Sequence, residues 1–165
     1  PICTRMKSAW PKVLHRVGGK PMIEHVLAAA KMAGAERNIV VIGFNAEQVR
    51  DQVGGGAEFA VQAEQLGTGH AVQQAAGLIG DFAGPVLVLC GDTPLLTGEL
   101  LRRLVDKHNA AKAAATVLTA IMPDPTGYGR VIRDEAGRVR KIVEQKDALP
   151  AELAVGDGQY RYLLF

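Results

Sequence analysis

Asn38-Ile39-Val40-Val41-Ile42-Gly43 and Pro85-Val86-Leu87-Val88-Leu89-Cys90 are the stretches on which the fold turns. A strand wetted on one face alternates apolar and polar residues. An unbroken apolar run of this length fits a strand covered on both faces, as in a parallel sheet between helices. A third run, Ala115 to Met122, reads the same way. The segments between them carry helical spacing. Pro21 suits a first helical position, and Met22, Ile23, Val26, Leu27 and Ala30 keep one face apolar until Gly34. Asn45 is placed to cap a helix through Val53, Thr68 one through Ile79, and Thr97 one carrying Leu100, Leu101, Leu104 and Val105. Strand and helix therefore alternate, and a doubly wound α/β sheet is expected. After Ile121 the rhythm breaks. Arg130-Val131-Ile132-Arg133 and Arg138 to Val143 alternate or nearly so around Asp134-Glu135-Ala136-Gly137, which predicts a hairpin with one solvated face.

The 165 residues suffice for one domain with a real core and are too few for two ordinary ones. Hydrophobic residues make up 48% and charged residues 22%, the balance of a globular protein that faces water. A net charge of +2, with no basic stripe, argues against nucleic acid as a partner. No apolar stretch reaches ~20 residues, so no membrane span is expected. Nor does the chain open with the zones of a signal peptide. Cys3 and Cys90, far apart, read as reduced thiols, and a cytoplasmic setting follows. Phosphate loops of the Gly-x4-Gly-Lys type, His-Glu-x-x-His, Cys-x-x-Cys and Gly-x-Ser-x-Gly are all missing.

What remains are four dense islands. In the first, Thr4-Arg5-Met6 and Trp10-Pro11-Lys12-Val13-Leu14-His15, two cations sit in a loop-like stretch. Arg5 and Lys12 suit phosphate oxygens, and a solvated basic segment would look the same. In the second, Gln62-Ala63-Glu64-Gln65-Leu66-Gly67-Thr68-Gly69-His70-Ala71, glycines flank a Thr at a helix start, where backbone amides can approach a ligand closely. The Gln62 amide can donate and accept, as the edge of a pyrimidine requires, although a glycine-eased turn explains the run as well. The third, Leu89-Cys90-Gly91-Asp92-Thr93-Pro94-Leu95-Leu96, runs a strand into an acidic residue at its carboxyl end, where ligands sit in open α/β sheets. Asp92 is a hard oxygen ligand suited to Mg²⁺ shared with substrate phosphates, or else a turn residue. The fourth joins Asp124-Pro125-Thr126-Gly127-Tyr128-Gly129-Arg130 to Glu144-Gln145-Lys146-Asp147-Ala148, on either side of the hairpin. Glu144 there can accept from sugar hydroxyls, although a plain hairpin entry would look the same. His15 and His70 are as readily structural as functional.

In this order the islands resemble the N-acetylglucosamine-1-phosphate uridylyltransferases, in particular the nucleotidyltransferase half of the bacterial bifunctional family that also carries an acetyltransferase. The resemblance runs from about Thr4 to Asp147 and implies a Rossmann-like nucleotidyltransferase domain, a mostly parallel sheet flanked by helices with a β-hairpin insertion. It implies a Mg²⁺-dependent joining of UTP and N-acetylglucosamine 1-phosphate into UDP-N-acetylglucosamine and pyrophosphate, for peptidoglycan precursors. Arg5 and Lys12 would hold the triphosphate, Gln62, Gly67 and Thr68 the uracil and ribose, Asp92 the metal, and Gly129 and Glu144 the sugar. Against the family's pattern, the first strand and its Leu-Ala-Ala-Gly-x-Gly loop do not precede Thr4, and the distal sugar contacts and second metal ligand do not follow Asp147. No left-handed β-helix hexapeptides occur in these residues, so the acetyltransferase half, through which the resemblance implies a homotrimer, is expected to be missing. The expectation is a partial domain over 1–165, inactive alone, with Ile39 to Ile42 and Val86 to Leu89 lacking a ladder partner. The rivals are a nucleotide-binding remnant without catalysis and a transferase for a different sugar nucleotide.

Overall fold

The computed structural model describes residues 8, 10–43 and 45–164, the last eight of these in backbone only. In chain order the elements are β1 (Arg16–Val17), β2 (Lys20–Pro21), α1 (Met22–Met32), β3 (Ile39–Ile42), α2 (Ala46–Val53), β4 (Glu58–Val61) and α3 (Thr68–Ile79). They continue with β5 (Leu87–Val88), α4 (Gly98–Ala111), β6 (Thr116–Ile121), β7 (Arg130–Arg133), β8 (Val139–Val143), α5 (Pro150–Leu153) and β9 (Asp157–Leu164). One short 3-10 turn spans Lys12–Leu14 and another Gln145–Asp147.

The parallel character rests on β3 and β4, which pair in register from Ile39 opposite Glu58 to Ile42 opposite Val61. Val40 and Ile42 turn to one face and join Leu14, Ile23 and Val49 in the buried core, edged by Val13, Leu27, Val53 and Phe59. Ile39 and Val41, on the opposite face, are half-buried rather than fully covered. The apolar run therefore overstates how closed that second face is, although α3 packs along both strands. Every other described pairing is antiparallel. β9 is the hub of the larger sheet, with β5, β6 and β7 all hydrogen-bonded to it and β8 on the far side of β7. The expectation that the β3 and β5 runs lack a partner holds for one edge and not the other: β3 pairs with β4, and Leu87 and Val88 lie opposite Leu164 and Leu163 of β9, while among the described residues neither strand has a neighbour on its second edge.

Local chemistry explains most element ends. The Thr97 hydroxyl accepts from the Leu100 amide at 3.2 Å and caps α4, as its residue type predicts. Asn45 holds the N-cap position of α2 in the left-handed conformation, φ 56°, without a capping bond from its side chain. At α3 the cap is Gly67, not Thr68, because φ there is 98° and only glycine adopts that value without strain. The β7–β8 hairpin forms as the alternation predicts. Val131 is fully buried on its inner face, and four of the five β8 residues are exposed. Among the described residues no helix is long and apolar enough to cross a membrane.

Candidate functional site

The second island lands at the carboxyl end of the parallel pair. Gln62 directly follows β4, and its backbone amide donates to the Ile42 carbonyl at 2.7 Å, extending the ladder by one step. The side chain then spans the turn: Gln62 Nε2 donates to the Gly67 carbonyl at 3.1 Å and lies 3.0 Å from Nδ1 of His70. Thr68 opens α3 beside it. This is where a ligand sits in an open α/β sheet, next to helix amides with no partner of their own.

Across a cleft of about 700 Å³, Gly67 and Thr68 face Gly127, Glu144, Gln145, Lys146 and Leu153. The far wall is therefore the two ends of the β7–β8 hairpin. Gly127, not Gly129, is the loop glycine that lines the cleft. A polar clasp holds that wall. The Gly127 amide donates to Oε1 of Gln145 in a very short bond, and Thr126 turns on Asp124 through a 3.0 Å backbone bond to Oδ1. Arg130, only 3% exposed, lies beneath the loop and sends Nη1 to the carbonyls of Pro125, at 2.9 Å, and Tyr128, at 2.5 Å. Its Nε is buried without a partner. Burying a guanidinium is costly, and its bonds to the two carbonyls offset part of that cost. The Asp124 carboxyl is held below its ordinary range, first by the Thr126 hydroxyl, then by the Thr126 amide, and last by the charge of Arg130.

Lys12 and Asp92, 80 residues apart, form an ion pair with Nζ 2.6 Å from Oδ2. Lys12 stands on the first 3-10 turn and Asp92 in the turn after β5. Gly91 makes the approach possible: a Cβ there would lie 3.0 Å from Ile23 Cδ1 and 3.1 Å from Val13 Cγ1. The Thr93 hydroxyl donates to the Cys90 carbonyl at 2.6 Å and tightens the same turn. Both charges remain reachable from water, with Lys12 half and Asp92 one-third exposed, so the pair adds little stability. By its chemistry an ammonium group suits phosphate oxygens and a carboxylate suits a hard cation. Among the described residues no three His, Cys, Asp or Glu side chains cluster to cage a metal. A lone carboxylate suits Mg²⁺ all the same, since that ion keeps waters and takes oxygens from substrate phosphates. Arg5 lies outside the described residues.

Residues 6–163 match the nucleotidyl transferase family. The chain belongs to that family. It is similar to the Bifunctional protein GlmU of Bacillus thuringiensis (strain Al Hakam), of Bacillus cereus (strain AH820) and of Bacillus anthracis (strain A0248). Each is 53% identical over 152 residues, which are 92% of this chain and 33% of the relative. The chain thus spans about a third of the length of the curated relatives it matches. A solved structure of UDP-glucose pyrophosphorylase complexed with UDP-glucose superposes with a TM-score of 0.80 at 17% identity, over all of this chain and 72% of that one. That likeness establishes the nucleotidyl transferase fold. Residue by residue, the sequence pointed to Gly67, Thr68 and Glu144, which share the cleft, with Gln62 bonded to its edge. It did not single out Gln145, Lys146 or Arg130. Arg130 and Gln145 were signalled only by their places in Gly127-Tyr128-Gly129-Arg130 and Glu144-Gln145, since along β7 Arg130 alternates with the inward Val131.

Proposed function

We propose that this nucleotidyl transferase joins UTP to N-acetylglucosamine 1-phosphate, forming UDP-N-acetylglucosamine and releasing pyrophosphate. The observation that carries the reading is the facing of two walls across one cleft. The Gln62–Thr68 turn offers an amide and helix N–H groups to a base and ribose. The hairpin ends offer Glu144, Gln145 and the Gly127 backbone to a sugar's hydroxyls. Cleft volumes of several hundred Å³ are the size that small-molecule ligands occupy. The GlmU relatives support the same assignment by their similarity.

In the proposed reaction an oxygen of the sugar phosphate attacks the α-phosphorus of UTP in line. The bond from that phosphorus to the oxygen bridging to the β-phosphate breaks, and pyrophosphate leaves with both electrons. The protein has little covalent work and acts by placement and charge. Lys12 exchanges its bond to Asp92 for the phosphate oxygens and neutralises the charge gathering there. Asp92 is the side chain that would hold Mg²⁺. When bound, that ion draws the phosphates together and offsets their repulsion. Thr68 and the amides behind Gly67 fix the nucleotide, and Glu144 orients the sugar.

Pyrophosphate release tests the assignment, measured with N-acetylglucosamine 1-phosphate and each of UTP, CTP, TTP and GTP, on protein expressed from its complete reading frame. UTP should lead clearly. Equal rates with all four would remove uridylyl transfer, and tight UTP binding without release would leave a nucleotide-binding protein. Asp92→Asn should cut turnover by about a hundredfold or more, the scale of losing one aligned electrostatic contact. It should also shift the Mg²⁺ concentration for half-maximal rate upward, with circular dichroism unchanged. A variant with normal rate and normal Mg²⁺ response would take Asp92 out of the site.

A further inference from the structure

His70 lies between two glutamine amides, and the protons cannot be shared there in more than one consistent way. Its Nδ1 is 3.0 Å from Nε2 of Gln62, and its own Nε2 is 3.1 Å from Nε2 of Gln74. A neutral imidazole donates at one ring nitrogen and accepts at the other, so the two amides cannot both present N–H to it. Gln62 is the constrained one. Its Nε2 also meets the Gly67 carbonyl at 3.1 Å, and a carbonyl only accepts. Turning that amide would set two oxygens against each other at the edge of the cleft. Gln74 gives up much less on turning. Its other contact, 3.3 Å to the His70 carbonyl, lies within one turn of α3, and the helix ladder already serves that carbonyl. The consistent arrangement therefore leaves Nδ1 of His70 as acceptor and its Nε2–H as donor to the oxygen of Gln74.

This has a consequence for ligand choice. Both N–H groups of Gln62 are consumed internally, one by Gly67 and one by His70. Only Oε1 remains for a ligand, so Gln62 can accept and cannot donate. Uracil offers an N3–H to such an acceptor. Cytosine offers a lone pair at the same position, and two acceptors facing each other lose the bond and gain repulsion. We propose that His70 is the positioning residue that locks the Gln62 amide in one orientation and thereby makes the cleft select uracil over cytosine. The proposal rests on the reading that Gln62 faces the base. His70 itself is half-buried and acts through its contact with Gln62.

Substitutions that separate the two ring nitrogens test it. His70→Asn places a side-chain oxygen near the position of Nδ1 and keeps an acceptor for Gln62. His70→Gln extends toward the position of Nε2, and His70→Leu offers no acceptor at all. The readout is the ratio of kcat/KM for UTP to that for CTP. It should fall about tenfold or more in His70→Leu and His70→Gln, the scale of one hydrogen bond, and stay within about twofold of wild type in His70→Asn. A merely structural histidine would lower both rates together and leave the ratio unchanged, which would overturn the proposal, as would His70→Asn behaving like His70→Leu. Imidazole ¹⁵N NMR of the wild-type protein gives a readout free of activity: Nδ1 should be the unprotonated nitrogen, and a proton found there overturns the assignment. If the wild type transfers no uridylyl group, the proposed function fails by itself. Calorimetry with UMP and CMP on the same variants then decides the role of His70.

Discussion

The two walls of the cleft are built by opposite means. The wall proposed for the nucleotide stands on the β3–β4 pair, where backbone pairing is parallel and the strands rest on Leu14, Ile23, Val40, Ile42 and Val49. The wall proposed for the sugar stands on an antiparallel hairpin. Four of the five β8 residues there are exposed, and the loop is shaped by a buried guanidinium, an Asx turn and one glutamine. Apolar burial is non-directional and sets whether the strand ends exist at all. Polar clasps are directional and set where a loop lies. One wall therefore ties its ligand groups to global stability, while the other can be disturbed with the fold intact.

The largest effect should come from the first wall. Ile42→Ala removes a side chain that is 3% exposed at the last step of β3, and should lower unfolding free energy by about 2–5 kcal/mol. Urea denaturation checks this, and a loss below about 1 kcal/mol would show that the parallel pair does not carry the core. The second wall should respond differently. Arg130→Lys keeps a charge and loses the fork that gathers the Pro125 and Tyr128 carbonyls. KM for the sugar phosphate should rise about tenfold, the scale of one such bond, with KM for UTP within about twofold. Equal rises for both substrates would mean that the walls do not divide the ligands. A smaller effect is expected with pH. The Asp124 carboxyl titrates below its ordinary value, so its contribution is complete above the unfolded value of about 3.9 and is lost as pH falls through the lower folded one. Carboxyl NMR should therefore show Asp124 ionised through the whole working range, and protection of the Thr126 amide fading only in stronger acid. Titration at or above the ordinary value would mean that the loop is not held through Asp124.

The same contrast explains what the sequence made legible. The run from Asn38 to Gly43 announced β3 because burial writes itself as composition. The Arg130 to Val143 alternation announced the hairpin because a half-wet strand writes itself as period. β4 escaped, since Glu58-Phe59-Ala60-Val61 is short and opens on a charge. So did β9, although Gln159-Tyr160-Arg161-Tyr162 alternates and gave a signal that could have been read. With β9 unforeseen, the antiparallel pairing of β5 and of β6 with it could not be foreseen either. Of the residues lining the cleft, Gly67, Thr68 and Glu144 drew attention in the sequence because glycine at a helix start and a carboxylate at a strand end carry chemistry on their face. Asp92, singled out on the same ground, lies in its ion pair with Lys12 and not in that lining. The clasp was not legible. Arg130 acts through two backbone carbonyls and His70 through another side chain, and no spacing rule records a partner fixed only by tertiary structure.

Label transfer tests the central claim most directly. Protein from its complete reading frame is incubated with Mg²⁺, N-acetylglucosamine 1-phosphate and UTP carrying ³²P at the α position, and in parallel with UTP labelled at γ. The account predicts that α label moves into UDP-N-acetylglucosamine and γ label into pyrophosphate, in equal amounts and only when the sugar phosphate is present. Label leaving as UMP or inorganic phosphate, or α label never reaching a sugar nucleotide, would contradict attack at the α-phosphorus by a sugar phosphate held across this cleft.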